Sequence, residues 1–175
     1  IFYGSGFGNL LRTINPIGST ILALESNNPE NFGVIEINGD RIISIEEKPK
    51  NPKSNYIIPG LYFFDNKCVE YAKKIKPSKR GEKEITAILN LYLELGNLNL
   101  IKVPRGVSWF DTGTPENLFE ATEFIKVIQK NTNKYVACLE EIALLRGFID
   151  KKKLFETSSQ NESSDYWKYL IKNYS

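Results

Sequence analysis

Two strand-like apolar runs in this chain end the same way, in charge followed by a proline-marked turn. Ile42-Ile43-Ser44-Ile45 runs into Glu46-Glu47-Lys48-Pro49, and Val107 to Phe110 runs into Asp111-Thr112-Gly113-Thr114-Pro115. Proline donates no ladder hydrogen bond and disfavours the helical region for the residue before it, so the first strand must give way to loop at its charges. The second turn opens a helix, with Thr114 as N-cap, Pro115 at the first position and Glu116 in the first turn. Strands alternating with capped helices specify an α/β fold with a mostly parallel or mixed sheet. In such sheets ligands collect beyond the carboxyl ends of strands. The two motifs therefore predict a phosphosugar and metal site at the carboxyl end of a sheet.

The rest of the chain fits that alternation. Ile1 to Phe7 reads as the end of a strand entering a turn crowded by Gly4, Gly6 and Gly8, followed by a short helical pattern over Asn9 to Ile14. Ser19 to Leu24 is β-prone. Phe32 to Ile37 and Arg41 to Ile45 flank Asn38-Gly39-Asp40, a hairpin signal. Tyr56 to Phe64 is an aromatic strand that must bend, or lie at an edge, at Pro59-Gly60. Asp65-Asn66 caps a helix to Ile75 with Val69, Ala72 and Ile75 spaced for one buried face, and Glu84 to Leu95 is an amphipathic helix closed by Gly96. Leu98 to Val103 is a strand, and the helix from Thr114 reaches about Lys130. Beyond it, Val136 to Arg146, Leu154-Phe155 and Tyr166 to Tyr174 are helical, with a polar stretch from Thr157 to Asp165. The expected organisation is residues 1–130 as one domain and 131–175 as a small helical subdomain.

Composition narrows the chemistry. At 175 residues, 41% apolar and 25% charged, the chain can bury a sizeable core. A formal net charge of +2 gives no reason to expect nucleic acid as a partner. There is no histidine, which removes His-based acid/base work, Ser-His and Cys-His nucleophiles and His-ligated zinc. A metal here must be a hard ion held by carboxylates, Mg²⁺ first among them. Cys68 and Cys138, the two cysteines, read as buried reduced thiols. No apolar run has membrane-spanning length and no signal peptide is visible, so a cytoplasmic, membrane-free setting is expected.

Each candidate residue has a plainer alternative. A carboxylate at Glu46 or Glu47 can accept sugar hydroxyls and the Lys48 ammonium can hold a phosphate, or the tetrapeptide is a solvated charged turn. Asp111, between an apolar run and a helix start, is placed to hold Mg²⁺ at a phosphate site, or to make an Asx-turn. Apolar-apolar-Asp-Thr-Gly is also the aspartic protease signature, but one copy would require a dimer to share the proton. Arg80, beside Ser78 and Gly81, is either a bidentate phosphate clamp or a surface arginine. Gly33 at a strand start permits close backbone approach to a ligand, or relieves crowding.

Taken in order, Phe32-Gly33-Val34, Ile45 to Pro49, Lys53 to Tyr56, Pro59 to Asp65, Pro77 to Thr86, Trp109 to Thr114 and Ala137-Cys138-Leu139-Glu140-Glu141-Ile142-Ala143 closely resemble the sugar nucleotidyltransferase family. The closing segment resembles its thymidylyl branch. The resemblance covers essentially the whole chain. It implies part of a Rossmann-like nucleotidyltransferase domain with a mixed sheet, and a reaction in which glucose 1-phosphate and dTTP give dTDP-glucose and pyrophosphate with Mg²⁺. It implies that Glu47 accepts glucose hydroxyls, that Lys48 and Arg80 hold the phosphate, that Gly33, Ile58 and Tyr62 line the sugar pocket, and that Asp111 is a Mg²⁺ ligand. It further implies a regulatory nucleotide site at a subunit contact, matched here by Tyr3, Gly4, Phe7, Arg105, Val136, Ala137, Glu141 and Ile142. A homotetramer and a place in dTDP-rhamnose or related cell-envelope sugar synthesis follow from the same resemblance.

The departures are specific. The family opens with a Gly-rich loop carrying Arg and Lys and takes a second metal-binding Asp from a Leu-Gly-Asp-Asn segment, and neither is in this sequence. The chain starts at Ile1 and contains no Met. We therefore expect a C-terminal portion of a longer enzyme, inactive and poorly stable by itself. The alternatives are a non-catalytic phosphosugar-binding or assembly module, and another sugar-1-phosphate nucleotidyltransferase. Gly8 and Pro104 fall in the matched regulatory positions and bear on its specificity.

Overall fold

The computed structural model describes residues 1–15, 17–159, 161 and 163–174. Gln160 and Glu162 of the expected polar stretch lie outside them. The chain divides into two compact units, residues 1–114 and 115–175. The division falls between Thr114 and Pro115 rather than at 130, because the proline-started helix forms part of the second unit.

The first unit is built on β2 (Ser19–Glu25), which is buried on both faces over most of its length. A 3-10 turn at Pro29–Asn31 leads into the hairpin of β3 (Gly33–Asn38) and β4 (Arg41–Glu47), joined through Gly39 at φ 64. The predicted aromatic strand breaks at Pro59-Gly60 into β5 (Tyr56–Ile58) and β6 (Tyr62–Phe64), both antiparallel to β2. After α2 (Cys68–Lys74) and α3 (Ile85–Glu94), β7 (Leu98–Lys102) returns parallel to β2. The order is β4-β3-β5-β2-β6 with β7 also on β2, a mixed sheet. Its core is Ile21, Ala23, Ile35, Ile42, Ile45, Ile58 and Leu89. Each isoleucine or leucine among them contributes about 1.5–3 kcal/mol through burial.

A second, two-stranded sheet pairs β1 (Phe2–Gly4) with β8 (Val107–Trp109), in register Phe2 with Trp109. The short helix α1 (Phe7–Arg12) follows β1, and Phe7 stacks on Phe2 with ring centroids 4.9 Å apart. The two charged motifs therefore end strands of different sheets, not of one. β8 takes β1 as its partner, and the Trp109 ring meets Phe32, the residue just ahead of β3.

Two local expectations are corrected. Val69 is 56% exposed: with Phe64, Ala72 and Ile88 it lines an open cleft of about 470 Å³, so the apolar face of α2 is only partly covered. Cys68 is half-buried while Cys138 is buried, and both are free thiols.

The second unit is helical: α4 (Pro115–Thr132), α5 (Leu139–Leu145), α6 (Lys151–Ser159) and α7 (Asp165–Tyr174). Cys138, Leu154 and Leu170 form its core, with Tyr135, Trp167 and Tyr174 packed against them. Among the described residues no helix is long and apolar enough to cross a membrane.

Candidate active site

Gly33, Glu47 and Ile58 are brought together by register. Gly33 begins β3 and pairs with Glu47 at the end of β4 and with Ile58 at the end of β5. A Cβ on Gly33 would stand 3.1 Å from Thr86 Cγ2, 3.5 Å from Glu47 Oε2 and 3.7 Å from Ile58 Cδ1. The Glu47 carboxylate thus lies over this face of the sheet, beside the first turn of α3. Successive strand residues point to opposite faces. Accordingly Glu46 turns away, to Lys53 Nζ at 2.8 Å. That partner raises the Lys53 pKa, chiefly by its hydrogen bond and then by its charge.

Arg80 reaches Glu47 from the loop ahead of α3. Its Nη1 is 3.8 Å from Glu47 Oε1 and 3.7 Å from Glu84 Oε1, and its Nη2 is 3.4 Å from Glu82 Oε2. One guanidinium among three carboxylates leaves the cluster with excess negative charge. Tyr62, on β6, has its pKa raised by burial and then by the charge of Glu47. It stays a neutral hydrogen-bond donor beside that carboxylate.

Lys48 takes φ 42, in the left-handed region, with its amide donating to Phe32 O at 3.0 Å. A non-glycine residue there costs about 1–2 kcal/mol, and such outliers gather at functional sites. The side chain is exposed, and among the described residues the ammonium forms no ion pair. Phe32 also carries the link to the second sheet, since its ring meets Trp109 edge-on at 5.4 Å. Asp111 follows two residues later. It is exposed, and its Oδ1 accepts the Gly113 amide at 3.2 Å, the Asx-turn of the plainer reading. Among the described residues no three acidic or thiol side chains gather as a ready-made metal site.

The remaining predicted residues fall into two sets. Tyr3 and Gly4 lie on β1, opposite Ser108 and Val107, and a Cβ on Gly4 would come within 2.5 Å of Gly106 O, next to Arg105. With Phe7 these positions surround the β1–β8 pair. Val136, Ala137, Glu141 and Ile142 lie in the second unit. The Val136 amide donates to Gln129 Oε1 at 2.8 Å, Ala137 takes φ 54, and Ile142 is 45% exposed. The Glu141 carboxylate accepts the Tyr169 hydroxyl at 3.1 Å and that of Tyr174. Sequence reasoning missed Glu84, the most enclosed acid beside Arg80. In sequence nothing separates it from Glu82, two residues away; burial and the ion pair do.

These strands and this loop define a chain of the Nucleotidyl transferase family, whose match extends over residues 1–127, and the chain belongs to that family. It is 45% identical over 175 residues to a glucose-1-phosphate thymidylyltransferase of Neisseria meningitidis serogroup A, covering 98% of this chain and 61% of that protein. It is 42% identical over 173 residues to the enzyme of that name from Mycolicibacterium smegmatis, covering 98% and 60%. Among solved structures it is similar to a Bacillus anthracis protein assigned as a glucose-1-phosphate thymidylyltransferase and solved in complex with a sucrose. That likeness has a TM-score of 0.61 and 40% identity, over 71% of this chain and 50% of the other. The chain spans about 60% of the length of the curated relatives it matches. The aspartic protease reading of Asp111-Thr112-Gly113 has no support in this family.

Proposed function

We propose that the protein carrying this chain is a glucose-1-phosphate thymidylyltransferase. A phosphate oxygen of glucose 1-phosphate attacks the α-phosphorus of dTTP, forming dTDP-glucose as the bond to pyrophosphate breaks. The observation that carries this reading is the convergence of Gly33, Glu47, Ile58 and Arg80 on one face of the sheet, in a chain 45% identical to a protein of that name. A half-buried carboxylate accepts sugar hydroxyls. Arg80 and Lys48 supply cationic donors for the phosphate, and arginine suits it by its planar fork. Tyr62 and the backbone at Gly33 and Ile58 bound the sugar. Such chemistry needs positioning and charge more than a covalent nucleophile, which suits a chain without histidine.

Mg²⁺ fits what the chain offers at Asp111: an exposed carboxylate at a strand end, for an ion that takes one or two carboxylates and completes its shell with phosphates and water. Bound there, the ion would offset phosphate charge. By the same reading the protein is a homotetramer with a regulatory nucleotide site at a subunit contact, to which Tyr3, Gly4, Phe7, Arg105, Val136, Ala137, Glu141 and Ile142 are the matching positions, and its product feeds dTDP-rhamnose or related envelope sugars.

The test is pyrophosphate release by the protein carrying this chain, supplied with glucose 1-phosphate and dTTP. Turnover is expected, and Asp111→Asn should reduce it by about a hundredfold or more, the scale of losing a charge-stabilising group. No turnover with dTTP would refute the reading, turnover with UTP alone would favour another sugar-1-phosphate nucleotidyltransferase, and an Asp111→Asn protein of near-normal activity would remove the metal role alone.

A further inference from the structure

We propose that Ser78 is a positioning residue for the Arg80 guanidinium, acting through its hydroxyl; this rests on the reading of Arg80 as a phosphate donor. The loop closes on itself around Ser78, whose amide donates to Glu82 O at 2.8 Å and whose carbonyl accepts the Gly81 amide at 2.9 Å. The hydroxyl then does two things. It accepts the Arg80 amide at 3.1 Å and donates to Glu84 Oε1 at 2.8 Å. That same Oε1 stands 3.7 Å from Arg80 Nη1. Ser78 therefore holds Arg80 at both ends, at its backbone directly and at its guanidinium through Glu84.

Burial separates Glu84 from its neighbours. The Glu84 side chain is 12% exposed and Glu82 is 65% exposed, so Glu84 is the fixed post and Glu82 a solvated partner. The remaining contact of Nη1 is Glu47, the acid that pairs with Gly33. A guanidinium aimed in this way meets an incoming phosphate already ordered. Without the Ser78 hydroxyl, binding must itself order a long side chain.

Ser78→Ala tests this cleanly, because it leaves every charge in place. In the protein carrying this chain, KM for glucose 1-phosphate should rise about three- to tenfold, the cost of immobilising one rotamer-rich side chain. At saturating dTTP, kcat should change less than about twofold, since ordering Arg80 affects binding more than the step that follows. Ser78→Thr, which keeps the hydroxyl, should restore KM. In an Arg80→Ala background, Ser78→Ala should add nothing, because the two residues act as one unit. Ser78→Cys, nearly the same size with a weak donor, gives the same comparison if the alanine variant does not fold.

An unchanged KM in Ser78→Ala, or an equal rise in the Arg80→Ala background, overturns the positioning role. If Arg80→Ala itself leaves KM unchanged, the phosphate reading of Arg80 fails and the proposal falls with it. A large Arg80→Ala effect beside a silent Ser78→Ala overturns the positioning role only.

Discussion

Gly18→Ala should be among the most damaging single-methyl additions to the first unit, and the reason can be counted atom by atom. Gly18 takes φ +79, where an L-residue pays about 1–2 kcal/mol. A Cβ there would also stand 2.2 Å from Asn97 O, a backbone atom. Neither side can yield. The Gly18 amide donates to Asp65 Oδ2 at 3.1 Å, and its carbonyl accepts the Asp65 amide at 2.8 Å. Asn97 O accepts the Ser19 amide at 2.9 Å, at the head of the parallel β2–β7 pairing. A retreat of roughly 1 Å to a normal contact would break that bond and strand a fully buried amide, at about 1–3 kcal/mol. The sum is about 2–5 kcal/mol. Gly39 is the control: its φ is +64, but nothing lies within 4 Å of its Cβ position. Gly39→Ala should therefore cost only the conformational part, about 1–2 kcal/mol. The assay is urea unfolding of the two variants in the same protein, compared at equal m-value. If Gly18→Ala lies within about 0.5 kcal/mol of Gly39→Ala, the clash and the lost strand bond are not there, and the reasoning fails.

Two pH predictions follow from hydroxyl–carboxylate pairs. The Tyr92 hydroxyl at 2.6 Å, then the amides of Lys67 and Gly18, hold the Asp65 carboxyl below its ordinary value of 3.8. Its contribution to stability is therefore present above that pH and lost as pH falls through the lower folded value. Tyr92→Phe should flatten the acid limb of unfolding midpoint against pH, and an acid limb identical to that of the unaltered chain would contradict it. In the second unit, burial and then Cys138 and Glu140 raise the pKa of Tyr166, burial and then Glu141 raise that of Tyr169, and Glu141 followed by burial raises that of Tyr174. Their contribution is whole below the ordinary tyrosine value of 10.0 and lost as pH rises through the folded values. Tyrosinate absorbance should show these three ionising together with loss of helix, whereas ionisation of all nine tyrosines at pH 10.0 with helix intact would contradict it.

Local signals suffice where one residue type dictates backbone geometry. Asn38-Gly39-Asp40 gave the hairpin, Pro59-Gly60 broke the aromatic strand, and Thr114-Pro115-Glu116 started a helix at Pro115. Glu47 stands out in the sequence as a charge at a strand end and Gly33 as a glycine at a strand start, whereas Ile58 and Tyr62 are marked by the family resemblance alone. What escaped was the identity of distant partners. Nothing near Val107 to Phe110 says that its partner is Phe2 to Gly4 rather than the main sheet, since pairing is decided by packing across the whole unit. Helical spacing at Val69 and Ala72 marks an apolar face without saying whether anything covers it. Pro49 disfavours the right-handed helical region for Lys48 without saying what replaces it; Lys48 takes the left-handed region, its own amide donating to Phe32 O.

Glu141 shows why the same limit matters for function. Its position matched a ligand-binding pattern, and in sequence it is one acid of a pair at a helix start. In the fold, its carboxylate accepts hydroxyls from Tyr169 and Tyr174, both on α7. Its neighbour Glu140 accepts the hydroxyl of Tyr166, which in turn accepts the Cys138 thiol at 3.2 Å. The two acids thus fasten α5 to α7 through three tyrosines, none of them within 25 residues in sequence. The Glu141 carboxylate is half-buried, and the tyrosine hydroxyls it accepts come from inside the unit. A ligand that took the Glu141 carboxylate would have to release two tyrosines from it. Engaging that carboxylate would therefore compete directly with the tie between α5 and α7.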